Sequence, residues 1–172
     1  GWLMAKALEG NAPYQATSSA TEFVVDQVVR GEARQKALQF SIRPTSIETW
    51  KTLAQWDTGA FFAFPFLALE VPWEWRPWVD RLAFLYHGLD DLEDLVGEGD
   101  LAGGGIADVK DGVPTLPTCF TSLTTLEGLQ AACPAALVWL LINALPQDGF
   151  QIPPQLLPFF SDLRSGLTSV GE

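Results

Sequence analysis

Nine residues, Tyr86-His87-Gly88-Leu89-Asp90-Asp91-Leu92-Glu93-Asp94, restrict the fold more than any other stretch of the chain. Val79, Leu82, Ala83, Tyr86 and Leu89 recur at helical spacing, so a helix from about Pro77 to Val96 has an apolar face that runs into a carboxylate cluster. Asp90 and Asp94 are four apart and stand one above the other, with side chains roughly 6 Å apart. Asp91 sits beside them. Like charges this close repel, and burial worsens the repulsion. Acids at a helix C-terminus also oppose its dipole. One reading is a solvated acidic helix end, the ordinary fate of a charge run. The other is a cation site. Oxygen-only ligands suit a hard ion, and a few carboxylates plus substrate phosphates usually hold Mg²⁺. Such an ion would use Asp90, Asp91 and Asp94, weakly and through water.

The rest of the composition narrows the class. The chain has 172 residues, of which 48% are hydrophobic and 18% charged; this suits a single domain, residues 1–172, with a sizeable core. Its net charge of −11 disfavours nucleic acid and anionic membrane as partners, since both need basic surface. Cys119 and Cys133 are the only cysteines, too few for a disulfide framework or a zinc site. His87 is the only histidine, which excludes a multi-histidine metal centre. The richest apolar run, Gly59 to Leu69, is too short to span a bilayer and contains Pro65. No secretory signal opens the given residues, so the expected location is cytoplasm or an organelle matrix or stroma. The start at Gly1-Trp2-Leu3, already apolar and without an initiator Met, suits a fragment or a processed product.

Helical spacing recurs along the chain. Trp2 to Leu8 reads as a helix tail, and the polar stretch to Ser19 as a loop. A helix is expected from Ser19 or Thr21 to about Phe40. Thr45-Ser46-Ile47-Glu48 fits a capping box, with Thr45 bonding forward and Glu48 reaching back. The helix it opens carries Trp50, Leu53 and Ala54 and then Gly59 to Phe66, where Pro65 should kink or end it. The tryptophan-rich turn Trp73-Glu74-Trp75-Arg76-Pro77-Trp78 is expected to pack rather than stay exposed. Residues 97–117, with Gly103-Gly104-Gly105, read as a long loop. Cys119 to Ala131, Pro134 to Leu145 and Pro153 to about Leu167 read as helices. The expected fold is an all-α helical bundle.

Asp90-Asp91-Leu92-Glu93-Asp94, the glycine loop, Asp108 and Asp111-Gly112-Val113-Pro114-Thr115-Leu116-Pro117 together resemble the second aspartate-rich region of polyprenyl (isoprenyl) diphosphate synthases. That family shows an aromatic-Gln-x-x-Asp-Asp-x-x-Asp run, then a Gly-Lys loop, an Asp, and a Gly-Lys-x-Thr-Leu-Pro stretch. Gly31-Glu32-Ala33-Arg34-Gln35 is similar to its Gly-Glu-x-x-Gln helix. Asp57-Thr58-Gly59-Ala60-Phe61-Phe62 is similar to its Lys-Thr-Gly-x-Leu-Phe helix. The four matches keep their order and span about Gly31 to Pro117. The resemblance implies an isoprenoid-synthase-like bundle around a central cavity and a substrate of the isoprenoid diphosphate class. It implies Mg²⁺ ions held by Asp90, Asp91 and Asp94. Thr58 and His87, the latter where the family has Gln, would lie near substrate, and Gln35 would face the cavity.

The departures bear on activity. The family's first aspartate-rich motif is absent, so the bundle is incomplete relative to the family. Asp57 replaces a diphosphate-binding Lys. The Lys of the Gly-Lys loop is lost within Gly103-Gly104-Gly105, and the later Lys is Val113 or Pro114. Lys110 and Lys51 are the nearest cations left. Replacing the first two of the family's cations by a carboxylate and a glycine should weaken diphosphate binding by several kcal/mol, at roughly 1.5–3 kcal/mol per charged hydrogen bond. Asp57 is therefore expected either to ligand a cation or to point into a contact with an arginine. Three readings compete: a Mg-dependent prenyltransferase or terpene-synthase-type enzyme, a noncatalytic subunit or scaffold of the same fold, and an unrelated helical binding protein; a homo- or hetero-oligomer through helices is expected.

Overall fold

The computed structural model describes residues 14–39, 45–70, 73–96, 107–108 and 110–144. These residues form an all-α bundle with no strand among them. Five helices make up most of it: α1 (Tyr14–Leu38), α2 (Ile47–Trp56), α3 (Thr58–Ala68), α4 (Arg76–Val96) and α5 (Leu126–Ala144). Two 3₁₀ turns, Trp73–Trp75 and Leu116–Cys119, lead into α4 and follow the loop after it. The expected segments Trp2–Leu8, Gly103–Gly105 and Pro153–Leu167 lie outside the described residues.

The helices pack in chain order, α1 on α3, α3 on α4 and α4 on α5, with α2 bridging α1, α3 and α4. The main core joins Trp50 and Ala54 of α2, Leu92 and Leu95 of α4, Leu116, and Leu129, Cys133, Ala136, Leu140 and Ala144 of α5. A smaller one joins Ala20 and Val24 of α1 to Ala60, Phe64 and Ala68 of α3. Close approach of α4 and α5 depends on Gly88. A Cβ there would stand 2.8 Å from both Leu140 methyls and 3.2 Å from Leu116.

Several local expectations are corrected. α1 begins at Tyr14, not at Ser19 or Thr21. The earlier start lets Thr21 satisfy its hydroxyl on the Thr17 carbonyl at 2.8 Å, the back-bonding by which Thr tolerates a helix. The cap of α2 is Ser46, whose Oγ accepts from the Thr49 backbone N–H at 3.1 Å. Thr45 instead donates its backbone N–H to the Thr118 carbonyl at 3.0 Å, and Glu48 pairs with Lys51. The helix expected from Trp50 through Phe66 breaks at Asp57 (φ −85°, ψ −86°), whereas Pro65 is accommodated and α3 continues to Ala68.

Two helices were expected around Pro134, but α5 runs through it. Its buried face, Leu129, Cys133, Ala136 and Leu140, is continuous across the proline, which itself lies on the exposed side. Burial of that face outweighs the one backbone hydrogen bond that Pro134 cannot donate. Among the described residues α5 is also the one helix long and apolar enough to cross a membrane, with mean hydropathy 1.3. Its inner face is the core of the bundle. The tryptophan-rich turn packs as expected where it is described: Trp78 is buried, and the Trp75 ring lies 5.7 Å from Phe66.

Candidate functional site

The last two turns of α4 carry the acidic cluster, and the helix turns its members to different sides. Asp91 faces the core. Its Oδ2 accepts the Trp50 indole N–H at 2.7 Å and the Leu116 backbone N–H at 2.7 Å. Trp50 and Leu116 are both fully buried, so the two donors have no water to turn to. Burial pushes the Asp91 carboxyl up to about 6, against the pull of His87 and of the two hydrogen bonds. Asp91 thus pins the end of the loop after α4 back beneath α4, over a sequence separation of 25 residues.

Asp90 is exposed and Asp94 half-buried. The Asp94 carboxyl is raised by its burial and then by Asp90 and Glu93. Asp108 returns to the same neighbourhood from a stretch expected as loop, in which residues 107–108 and 110–111 are helical. Burial raises its carboxyl first, followed by the fields of Asp94, Asp111 and Asp90. The returning segment is fixed by the Val113 N–H on the Asp108 carbonyl at 2.9 Å and by a left-handed Gly112 (φ 66°), a conformation that suits glycine. Asp90, Asp94, Asp108 and Asp111 therefore share one negative field. Among the described residues no three His, Cys, Asp or Glu side chains stand as a closed metal-ligand set. The donors are carboxylate oxygens only, the chemistry that suits Mg²⁺ completed by water and phosphate.

Thr58 opens α3 and His87 lies one turn before the acidic cluster on α4. The Thr58 hydroxyl and His87 Nδ1 share a hydrogen bond of 2.7 Å, and the Trp50 ring stands 5.8 Å from the imidazole. The helix break at Asp57 is what places Thr58 there. Gly59 follows, with room for α3 to lie on Ala83 of α4. The two residues expected near substrate are thus brought together. Gln35, half-buried on α1, and Lys110, exposed in the segment that carries Asp108, share no hydrogen bond with them among the described residues. Gln35 lies one turn beyond Gly31, which packs on Trp56 and the Asp57 backbone. The half-buried Asp57 carboxylate has neither a cation nor an arginine against it among the described residues.

Three contributors escaped the sequence reading in their roles. Trp50 was read as core, yet its indole N–H also holds Asp91 across 41 residues. Leu116 supplies a backbone donor, which no side-chain pattern announces. Thr115, beside it, is buried, and its Oγ1 has no hydrogen-bond partner among the described residues. Comparison of the chain with protein-family models, curated proteins and solved structures finds no match.

Proposed function

We propose that the protein is an isoprenoid-synthase-like helical protein that holds the diphosphate group of an isoprenoid through Mg²⁺ on Asp90 and Asp94, with Asp108 facing them from the loop. The observation that carries this reading is the shared field of these carboxylates at the end of α4, one helical turn from the Thr58–His87 pair. Asp94 and Asp108 are raised first by burial and then by their acidic neighbours, and a divalent cation with phosphate oxygens would offset that charge. Bound there, the ion would offset charge on a departing diphosphate. Asp91 is spent on Trp50 and Leu116, so its part is to hold the loop rather than the ion. The expected setting is cytoplasm or an organelle matrix.

A second reading is a noncatalytic subunit or scaffold that kept the helical fold. It is favoured by Asp57, a carboxylate without a cation among the described residues at the position where the resembled family has a phosphate-binding Lys. Titration calorimetry decides between diphosphate binding and none. The protein should take up little Mg²⁺ alone and more when pyrophosphate is added, and Asp90→Ala should abolish that gain. Equal heats for the two proteins would remove the acidic face as a site. Turnover with isopentenyl and allylic diphosphates would remove the noncatalytic reading.

A further inference from the structure

The chain has a net charge of −11, yet no charged residue occurs from Gly128 to Ala144 of α5. The inner side of that stretch is core. The outer side is exposed and apolar as well, through Pro134, Ala135, Leu137, Val138, Leu141 and Ile142. Val138 is 57% and Ile142 60% exposed. At about 100° per residue these six share one side of the helix. A surface helix ordinarily carries charged or polar residues there, and a contiguous apolar patch marks a contact surface. Elsewhere among the described residues, exposed apolar side chains stand beside charge. Tyr86, Leu89 and Val96 alternate with Asp90 and Glu93 on α4, and Val25 and Val29 flank the Arg30–Asp26 pair on α1.

Charge and shape both select a second copy of the chain as the occupant. Two molecules that each carry −11 repel, so they meet most readily where neither brings a carboxylate. The face also tapers. Its N-terminal half offers the small Pro134 and Ala135, and its C-terminal half the larger Leu137, Val138, Leu141 and Ile142. A parallel pair would set bulk against bulk and leave a gap at the small end. An antiparallel pair with a two-fold axis at Val138 sets Ala135 opposite Leu141 and Pro134 opposite Ile142, so small meets large along the whole contact, as close packing requires.

We propose that the outer face of α5 is the interface of a homodimer in which two copies pack α5 antiparallel about Val138. This locates the oligomer expected from the sequence and does not depend on the function proposed for the acidic face of α4. The contact is small. Pro134 to Ile142 spans roughly 12 Å of a helix about 10–12 Å wide, short of the standard interface of about 800 Å² per partner, so the dimer is weak, with a Kd on the order of 10–100 µM.

Sedimentation equilibrium from about 1 to 500 µM protein brackets that Kd. Wild type should pass from monomer to dimer across the range, and added salt should tighten the dimer at least twofold by screening the net charge. Val138→Glu and Val138→Lys each set two like charges face to face on the axis, and each should weaken association at least tenfold. Mixed in equal amounts, the two variants should form a heterodimer, because the axis then pairs Glu with Lys. Val29→Glu, on the exposed side of α1, should leave the Kd unchanged. Circular dichroism establishes that each variant is folded. A monomer at every concentration, a dimer indifferent to both Val138 variants, or variants that stay apart when mixed would overturn the proposal. So would flotation of wild type, but not of Val138→Glu, with phosphatidylcholine vesicles, which would assign the face to a membrane.

Discussion

Replacing Asp91 by Asn tests the division of roles within the acidic motif. Both donors to Asp91 reach the same oxygen, Oδ2, so an Asn carbonyl oxygen in that position can accept both while carrying no charge. In the folded state the Asp91 carboxyl titrates near 6, against an ordinary value of 3.8. The folded state therefore binds more protons than the unfolded chain between those values, and stability falls as pH rises through them. Above about pH 6 the whole penalty applies, about 3 kcal/mol at 1.36 kcal/mol per pH unit. The Asn amide group brings its own unmet donors, so the net gain at pH 7 should be smaller, about 1–2 kcal/mol. Asp91→Ala also sheds the charge but strands the Trp50 and Leu116 N–H groups in the core, so it should be less stable than Asp91→Asn by about 2–4 kcal/mol. Urea unfolding of the three proteins between pH 4 and 7.5, in chelator, measures this. Asp94 and Asp108 are raised as well and add slope of the same sign to all three, so the difference between wild type and Asp91→Asn is the quantity to read. An Asp91→Asn protein as unstable as Asp91→Ala, or one with the same pH slope as wild type, would refute the buried-acceptor account.

Gly88→Ala should cost about 1–3 kcal/mol through overpacking, because its Cβ would meet Leu140, which is fully buried and cannot yield. Gly59→Ala is the contrast: its Cβ would lie 3.5–3.7 Å from Ala54, Ala83 and Gln55, so the helix propensity gain of up to about 1 kcal/mol should show as a raised Tm. Thr58→Val should lower stability by about 1 kcal/mol through loss of the hydrogen bond to His87, read as a shift in the urea midpoint at an unchanged slope.

The helices were legible where one face is apolar over several turns. The spacing of Val79, Leu82, Ala83, Tyr86 and Leu89 placed α4 within a residue of its observed start and its end at Val96, but Tyr86 and Leu89 are exposed, and the buried face runs through Val79, Ala83, Gly88, Leu92 and Leu95 instead. Boundaries set by tertiary contact were not legible. Nothing in Trp56-Asp57-Thr58 marks a break, yet the chain turns there so that Gly31 can pack on Trp56 and Thr58 can reach His87. Pro134 looked like a start because proline favours a first helical turn, and only the buried face running past it shows that α5 is continuous. The Thr58–His87 contact was foreshadowed by the family resemblance, which set both near substrate, and not by spacing, since 29 residues separate them.

The acidic motif shows why adjacency in sequence misleads about a site. Successive residues of an α-helix differ by about 100° around its axis, so Asp90 and Asp91 cannot share a face, whereas Asp90 and Asp94 nearly do. The core lies on the side of Leu92 and Leu95, both buried, and Asp91 is drawn to that side with them. A carboxylate there must find donors or become neutral, and the bundle supplies both remedies: two N–H groups and a raised carboxyl. Because one of those donors belongs to Leu116, the same carboxylate that leaves the Asp90–Asp94 side of α4 also fixes the far end of the segment that brings Asp108 to that side. The Asp-Asp pair then acts as one device with two directions, Asp90 outward toward Asp94 and Asp108, and Asp91 inward toward the support that holds Asp108 in reach.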